Sequence, residues 1–173
     1  MSREHFSDYL IRTAENHGSI LSVGYDPAPR DFSVPGISGY DSNLPDPLSD
    51  YKSEVVKEYI IKYFQEFFDQ LRSDKINVGC FKFNLGYFRM YDSGYQYPGS
   101  NALNEILDTV KNALEIPIIL DVKDADIARS SAAYAISKLK IENIDAITVH
   151  PYMGSDSVEP FLKLAADRGK GVF

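Results

Sequence analysis

The sequence predicts an α/β fold built on a parallel sheet. Short apolar strands alternate with amphipathic helices four times, and a fifth strand begins at Val172-Phe173. Polar and charged side chains collect at the carboxyl ends of the strands, on one face. Neither G-x-G-x-x-G nor a P-loop follows any strand, which removes the main positive evidence for a nucleotide-binding open sheet.

Residues 3–17 read as a short amphipathic helix with Phe6, Leu10 and Ile11 on one face. A first strand, Ser19 to Tyr25, is stopped by the prolines of Asp26-Pro27-Ala28-Pro29. From Pro27 to about Asp50 runs a loop rich in Pro, Gly, Ser and Asp, a length more often functional than incidental. Val56, Ile60, Tyr63, Phe64, Phe67 and Leu71 recur at helical spacing and predict a helix over Ser53–Arg72. A strand near Asn77–Phe83 and a Tyr- and Gly-rich loop through Pro98 follow. The next helix spans about Asn101–Leu114, with Leu103, Ile106, Leu107, Val110 and Leu114 on its apolar stripe. Ile116–Val122 is a buried strand, Ile127–Leu139 an alanine-rich helix, Asp145–Val149 a strand and 157–168 a helix. Gly169-Lys170-Gly171 then turns into the fifth strand.

An open doubly wound sheet and a TIM-type (β/α)₈ barrel both fit this order. Alternation favours the barrel. Ser22, Gly24 and Asp26 share one face of the first strand, against Leu21, Val23 and Tyr25. Asp121 and Lys123 share a face of the third, against Ile118, Leu120 and Val122. Thr148 and His150 oppose Ile147 and Val149 in the fourth. In a barrel the polar face points inward at the top, where active sites are built.

At 173 residues the chain fits one domain, and 44% apolar with 25% charged residues is ordinary for a soluble globular protein. The net charge of −7 argues against a nucleic-acid partner. A few placed lysines can still attract a small anion. The single Cys80 excludes an internal disulfide, suits a reducing compartment, and reads as a buried core thiol in its apolar run. His5, His17 and His150 give no metal-ligand spacing, so no metal site is expected. No apolar run reaches membrane-spanning length and the N-terminus lacks a signal-peptide core, so the expected location is the cytoplasm.

The chemistry concentrates in Asp121-Val122-Lys123-Asp124-Ala125-Asp126-Ile127. Asp126 comes three residues after Lys123, where the chain leaves the strand. Lys82, in Cys80-Phe81-Lys82-Phe83-Asn84, sits near the end of the preceding strand with the same polarity. Any one such charge is commonly a solvated strand end or part of an ion pair. Four together form an alternating array whose burial costs several kcal/mol unless well paired, and this makes function the better reading.

Asp-x-Lys-x-x-Asp-Ile closing a third strand, with a lysine on the second, resembles the orotidine 5′-monophosphate decarboxylase family. The flanking segments Ser-Val-Gly-Tyr-Asp-Pro (22–27), Phe-Lys-Phe-Asn (81–84), residues 121–135 and Thr-Val-His-Pro-Tyr-Met-Gly (148–154) extend the likeness over essentially the whole chain. They point to the longer-looped bacterial or protozoan type. The resemblance implies that Lys82, Asp121, Lys123 and Asp126 are the catalytic tetrad, with Lys123 as proton donor. It implies that Asp26 binds the substrate ribose and that Ser130 stands where a threonine contacts it. Where the family usually has Gly-Asn after the isoleucine, this chain has Ala128-Arg129. Asp126 and Ile127 match a pair that reaches into the neighbouring subunit, so a homodimer with shared active sites is implied.

The implied reaction converts orotidine 5′-monophosphate to UMP and CO₂ in pyrimidine biosynthesis, without metal or cofactor. A fused orotate phosphoribosyltransferase is a further implied partner. A complete barrel has eight strands, so residues 1–173 are expected to be the N-terminal part of a single barrel domain, truncated before its last strands. Alone, the chain is expected to be inactive, with interior positions such as Ile119 and Val78 incompletely covered. The competing readings are a magnesium-dependent sugar-phosphate decarboxylase of the sister group and an inactive fragment serving as an oligomerisation unit.

Overall fold

Short runs of two to seven residues separated by helices become the strands of one sheet in the computed structural model, which describes residues 4–27 and 53–173. The expected loop from Pro27 to Asp50 lies outside the described residues, Pro27 excepted. In chain order the elements are α1 (Phe6–His17), β1 (Ser22–Tyr25), α2 (Ser53–Ser73), β2 (Cys80–Asn84), α3 (Leu85–Arg89) and α4 (Pro98–Leu114). There follow β3 (Ile118–Asp124), α5 (Ala128–Leu139), β4 (Ala146–Val149), a 3₁₀ turn (Pro151–Met153), α6 (Ser155–Asp167) and β5 (Gly171–Val172). The sheet order is β1-β2-β3-β4-β5. A doubly wound sheet would reverse direction at a switch point; this sequential winding is that of the first strands of a barrel.

The chain divides into two compact units. The first takes in Met1–Gly24, Asn77–Phe83 and Val110–Phe173, and it contains Lys82, Asp121 and Lys123. Its core is β3 and β4, where Ile118, Leu120, Ala146 and Ile147 are fully buried, as are Leu139 of α5 and Phe161 of α6. Parallel pairing aligns Ile119 with Ala146 and Leu120 with Ile147, then Ala146 with Gly171 and Ile147 with Val172. No helix among the described residues is long and apolar enough to cross a membrane.

Helix α1 begins at His5, whose ring accepts the Ser7 N–H, and ends at Gly18. Gly18 takes φ +61°, which a side chain would oppose, and its N–H closes the helix on Ala14 and Glu15. The expected apolar face needs correction. Phe6 and Thr13 are buried and Leu10 partly so, but Ile11 is 57% exposed. Phe6 packs with Cys80, Ile119 and Ala146. That packing leaves Ile119 buried rather than incompletely covered as expected, and Val78, expected to be incompletely covered as well, is also buried. Cys80 is the expected buried thiol, and burial pushes its pKa up, against a weaker opposing bond from Ser22.

The second unit comprises Tyr25–Ile76 and Asn84–Thr109. Here Tyr25 meets Phe64 edge-on with ring centres 5.0 Å apart and donates its hydroxyl to the Ile60 carbonyl at 3.2 Å. The segment expected to be loop up to Pro98 contains helix α3, started by the Asn84 side chain accepting the Gly86 N–H. Helix α4 also starts earlier than its apolar spacing predicts. Asp92 accepts the N–H groups of Gly99 and Ser100 at 3.0 and 3.1 Å, and so satisfies donors that a helix start otherwise leaves open.

Candidate active site

Strand β2 is buried on both sides of Lys82, with Phe81 and Phe83 fully covered, so the lysine is presented at a fixed point near the strand end. Strand β3 presents Asp121 beside it. Lys82 Nζ donates to Asp121 Oδ2 at 2.8 Å. The other carboxylate oxygen, Oδ1, accepts from Lys123 Nζ and from the Thr148 hydroxyl, the latter at 2.7 Å. Asp121 is 6% exposed, Lys82 34% and Lys123 59%. A buried anion is thus clasped by two ammonium groups, one of which faces outward.

Burial by itself raises the pKa of Asp121. Hydrogen bonds from Lys123, Lys82 and Thr148, with the charge of Lys82, outweigh it and lower the pKa from 3.8 to about 2. Asp121 is therefore ionised at any pH near neutrality.

The route by which Lys123 reaches Asp121 differs from simple alternation. Between Leu120 and Asp124 strand β3 advances four residues, while its partner β4 advances two, from Ile147 to Val149. The surplus forms a bulge, and Lys123 takes the left-handed backbone conformation at φ +48°. The N–H groups of Val122 and Lys123 both donate to Thr148 Oγ1, at 3.0 and 3.1 Å. Alternation in the sequence places Thr148 on the polar face and gives it no role. Its only signal is that shared polarity.

Asp126 is not brought into this cluster. Its Oδ1 accepts the Ile127 N–H at 2.7 Å and its Oδ2 the Tyr134 hydroxyl at 3.3 Å, at the entrance to α5. The expected four-charge array is, within this chain, a three-charge array. Ile127 is 62% exposed. Ser130 is half-buried in the first turn of α5; its neighbour Ser131 is the one that donates to the Asp126 carbonyl, at 2.8 Å. Asp26 directly follows β1, belongs to the second unit and is exposed. Beyond the cluster, His150 meets Tyr152 edge-on at 4.7 Å.

Comparison with known proteins bears on this geometry. Residues 64–173 match the model of a family described as "Orotidine 5'-phosphate decarboxylase / HUMPS family". A curated relative named orotidine 5′-phosphate decarboxylase, from Verminephrobacter eiseniae, is 32% identical over 170 residues, covering 98% of this chain and 52% of the relative. The solved OMP decarboxylase of Leishmania donovani is 31% identical with a TM-score of 0.58, covering 98% of this chain and 52% of that one. The UMP synthase of the same organism is 29% identical with a TM-score of 0.61, covering 99% of this chain and 30% of that one. The chain spans about half the length of the curated relative it matches.

Proposed function

Because the chain belongs to the orotidine 5′-phosphate decarboxylase / HUMPS family, we propose that the whole protein converts orotidine 5′-monophosphate to UMP and CO₂, a step of pyrimidine biosynthesis. The observation that carries this reading is the buried Asp121 carboxylate clasped by Lys82 and Lys123. Breaking the bond between C6 and the carboxylate leaves the electron pair on C6, in an orbital the ring cannot delocalise. The ammonium of Lys123 stabilises that charge and passes its proton from Nζ to C6, giving UMP. Solvent then restores the proton. Asp121 holds Lys123 in place, and Lys82 fixes the second oxygen so that the carboxylate cannot turn away. The chemistry calls for no cofactor.

The same reading gives Asp26 and Ser130 to the substrate ribose, and Asp126 with Ile127 to the site of a neighbouring copy. The exposure of Ile127 supports the second assignment, as does the engagement of Asp126 with its own helix entrance rather than with either lysine. The match to a UMP synthase supports a fused orotate phosphoribosyltransferase as one arrangement of the whole protein.

The test is turnover of orotidine 5′-monophosphate by the whole protein, followed by ultraviolet absorbance. Lys123→Ala is expected to lower kcat by at least about 10³-fold while UMP affinity changes by less than about tenfold, because the lysine acts mainly in the transition state. Near-normal turnover by Lys123→Ala would show that the proton donor is misassigned. Magnesium-dependent turnover of a linear sugar phosphate in its place would transfer the protein to the sister chemistry.

A further inference from the structure

We propose that Thr148 is a positioning residue of this site, whose hydroxyl sets the conformation that brings Lys123 back onto Asp121. The identity of the reaction rests on the reading above; the positioning role rests on the geometry of β3 and β4. A regular ladder would send the successive N–H groups of Val122 and Lys123 to opposite sides, each to a backbone carbonyl. Here β3 has two extra residues relative to β4, and the N–H groups of Val122 and Lys123 converge on one side-chain oxygen, Thr148 Oγ1. That same hydroxyl donates its proton to Asp121 Oδ1 at 2.7 Å. Its single donor and both acceptor positions are thereby used.

The consequences are linked. Lys123 holds φ +48°, a conformation that L side chains rarely adopt and that persists only when its surroundings determine it. Thr148 supplies that determination from the opposite strand. It also supplies one of three side-chain hydrogen bonds to Asp121, the others coming from Lys82 on β2 and Lys123 on β3. Valine has the same shape and can neither accept the two N–H groups nor donate to the carboxylate. Serine can do both.

The experiment compares the whole wild-type protein with Thr148→Val and Thr148→Ser. Thr148→Val is expected to lower kcat about 10- to 100-fold, the factor for losing one hydrogen bond to a charged group, with UMP affinity changed less than about threefold. Thr148→Ser is expected to stay within about threefold of wild type, since the hydroxyl carries the effect. A merely structural threonine would lower Tm in Thr148→Val and leave kcat per folded molecule alone. Retention of kcat by Thr148→Val within about twofold overturns the proposal, as does a Thr148→Ser variant as impaired as Thr148→Val.

A second readout does not depend on the reaction. Carboxyl NMR should show Asp121 titrating at higher pH in Thr148→Val and near its wild-type position in Thr148→Ser. If the wild type does not turn over orotidine 5′-monophosphate, the functional reading fails and this titration alone decides the positioning role. An unchanged Asp121 titration in Thr148→Val then overturns it. Should Thr148→Val not fold, Thr148→Cys takes its place with its weaker donor. An intermediate loss of kcat and a smaller upward titration shift support the proposal, and wild-type values in both overturn it.

Discussion

Asp121 is a buried carboxylate held by Lys82, Lys123 and Thr148, and the proposed reaction would use the same group to hold Lys123. Its pKa is lowered from 3.8 to about 2 in the folded state, so the stability it contributes is complete above the unfolded value and is lost as pH falls through the folded one. After solvent screening on the Lys123 side, that contribution is of the order of 1–2 kcal/mol. In denaturant unfolding the gap between wild type and Asp121→Asn is therefore expected to be constant above about pH 5 and to narrow by about that amount towards pH 2. A gap independent of pH would mean that the carboxylate is not held by the two lysines. Lys123 differs in kind, since its outward-facing ammonium has little to give the fold and its loss should register in kcat rather than in Tm.

Among the elements, α1 and β5 are joined by a close fit that admits no extra carbon. The Phe6 ring lies edge-on to Phe173 with centres 5.7 Å apart, and a Cβ added at Gly171 would fall 2.4 Å from its Cδ1. Gly171→Ala is expected to destabilise the chain by about 1–3 kcal/mol, the usual cost of overpacking. Phe6→Leu should relieve part of that cost, so the double variant should be more stable than the sum of the single effects, measured by urea unfolding. At the opposite end of β3, Lys111 of α4 donates to Asp145 at 2.5 Å and to the Ile116 carbonyl at 3.1 Å, while Asp145 accepts the Ile118 N–H at 2.7 Å. Asp145 is 2% exposed. Lys111→Met strands that buried charge and is expected to cost about 3–5 kcal/mol in the same measurement; a cost below about 1 kcal/mol would contradict the pairing.

For the whole molecule, the shared-site proposal makes a prediction that a site built from one chain does not. Lys123→Ala and Asp126→Ala, each inactive alone, should recover activity when mixed as whole proteins under verified subunit exchange. A mixed dimer then holds one site with both lesions and one with neither, so random exchange restores up to about a quarter of wild-type sites. If exchange is verified and activity stays absent, Asp126 acts within its own chain or has no role in turnover. A related expectation follows from chain coverage, since residues 1–173 span about half of the matched relative. Expressed alone they should show no measurable turnover, whereas the whole protein should be active under the same assay.

Much of this architecture is legible in the sequence, because periodicity is a local property of the chain. The strand–helix order, the apolar β3 and the helical stripe of Val56, Ile60 and Phe64 each follow from neighbours a few residues apart. Lys82, Asp121 and Lys123 are legible for the same reason, as polar exceptions at the ends of apolar runs. The early start of α4 is not, because its cap, Asp92, lies outside the apolar pattern. Ile11 departs from its expected burial because spacing alone does not say where the buried stripe of α1 is centred. Thr148 meets the β3 bulge only when folding brings together segments 25 residues apart in the chain, and Asp126 engages its own helix entrance rather than either lysine. Composition and spacing determined which residues could do chemistry and on which strands they stood. Only the tertiary structure decided which of them touch, because hydrogen bonds between distant segments depend on register, and register is set by the packing of whole strands.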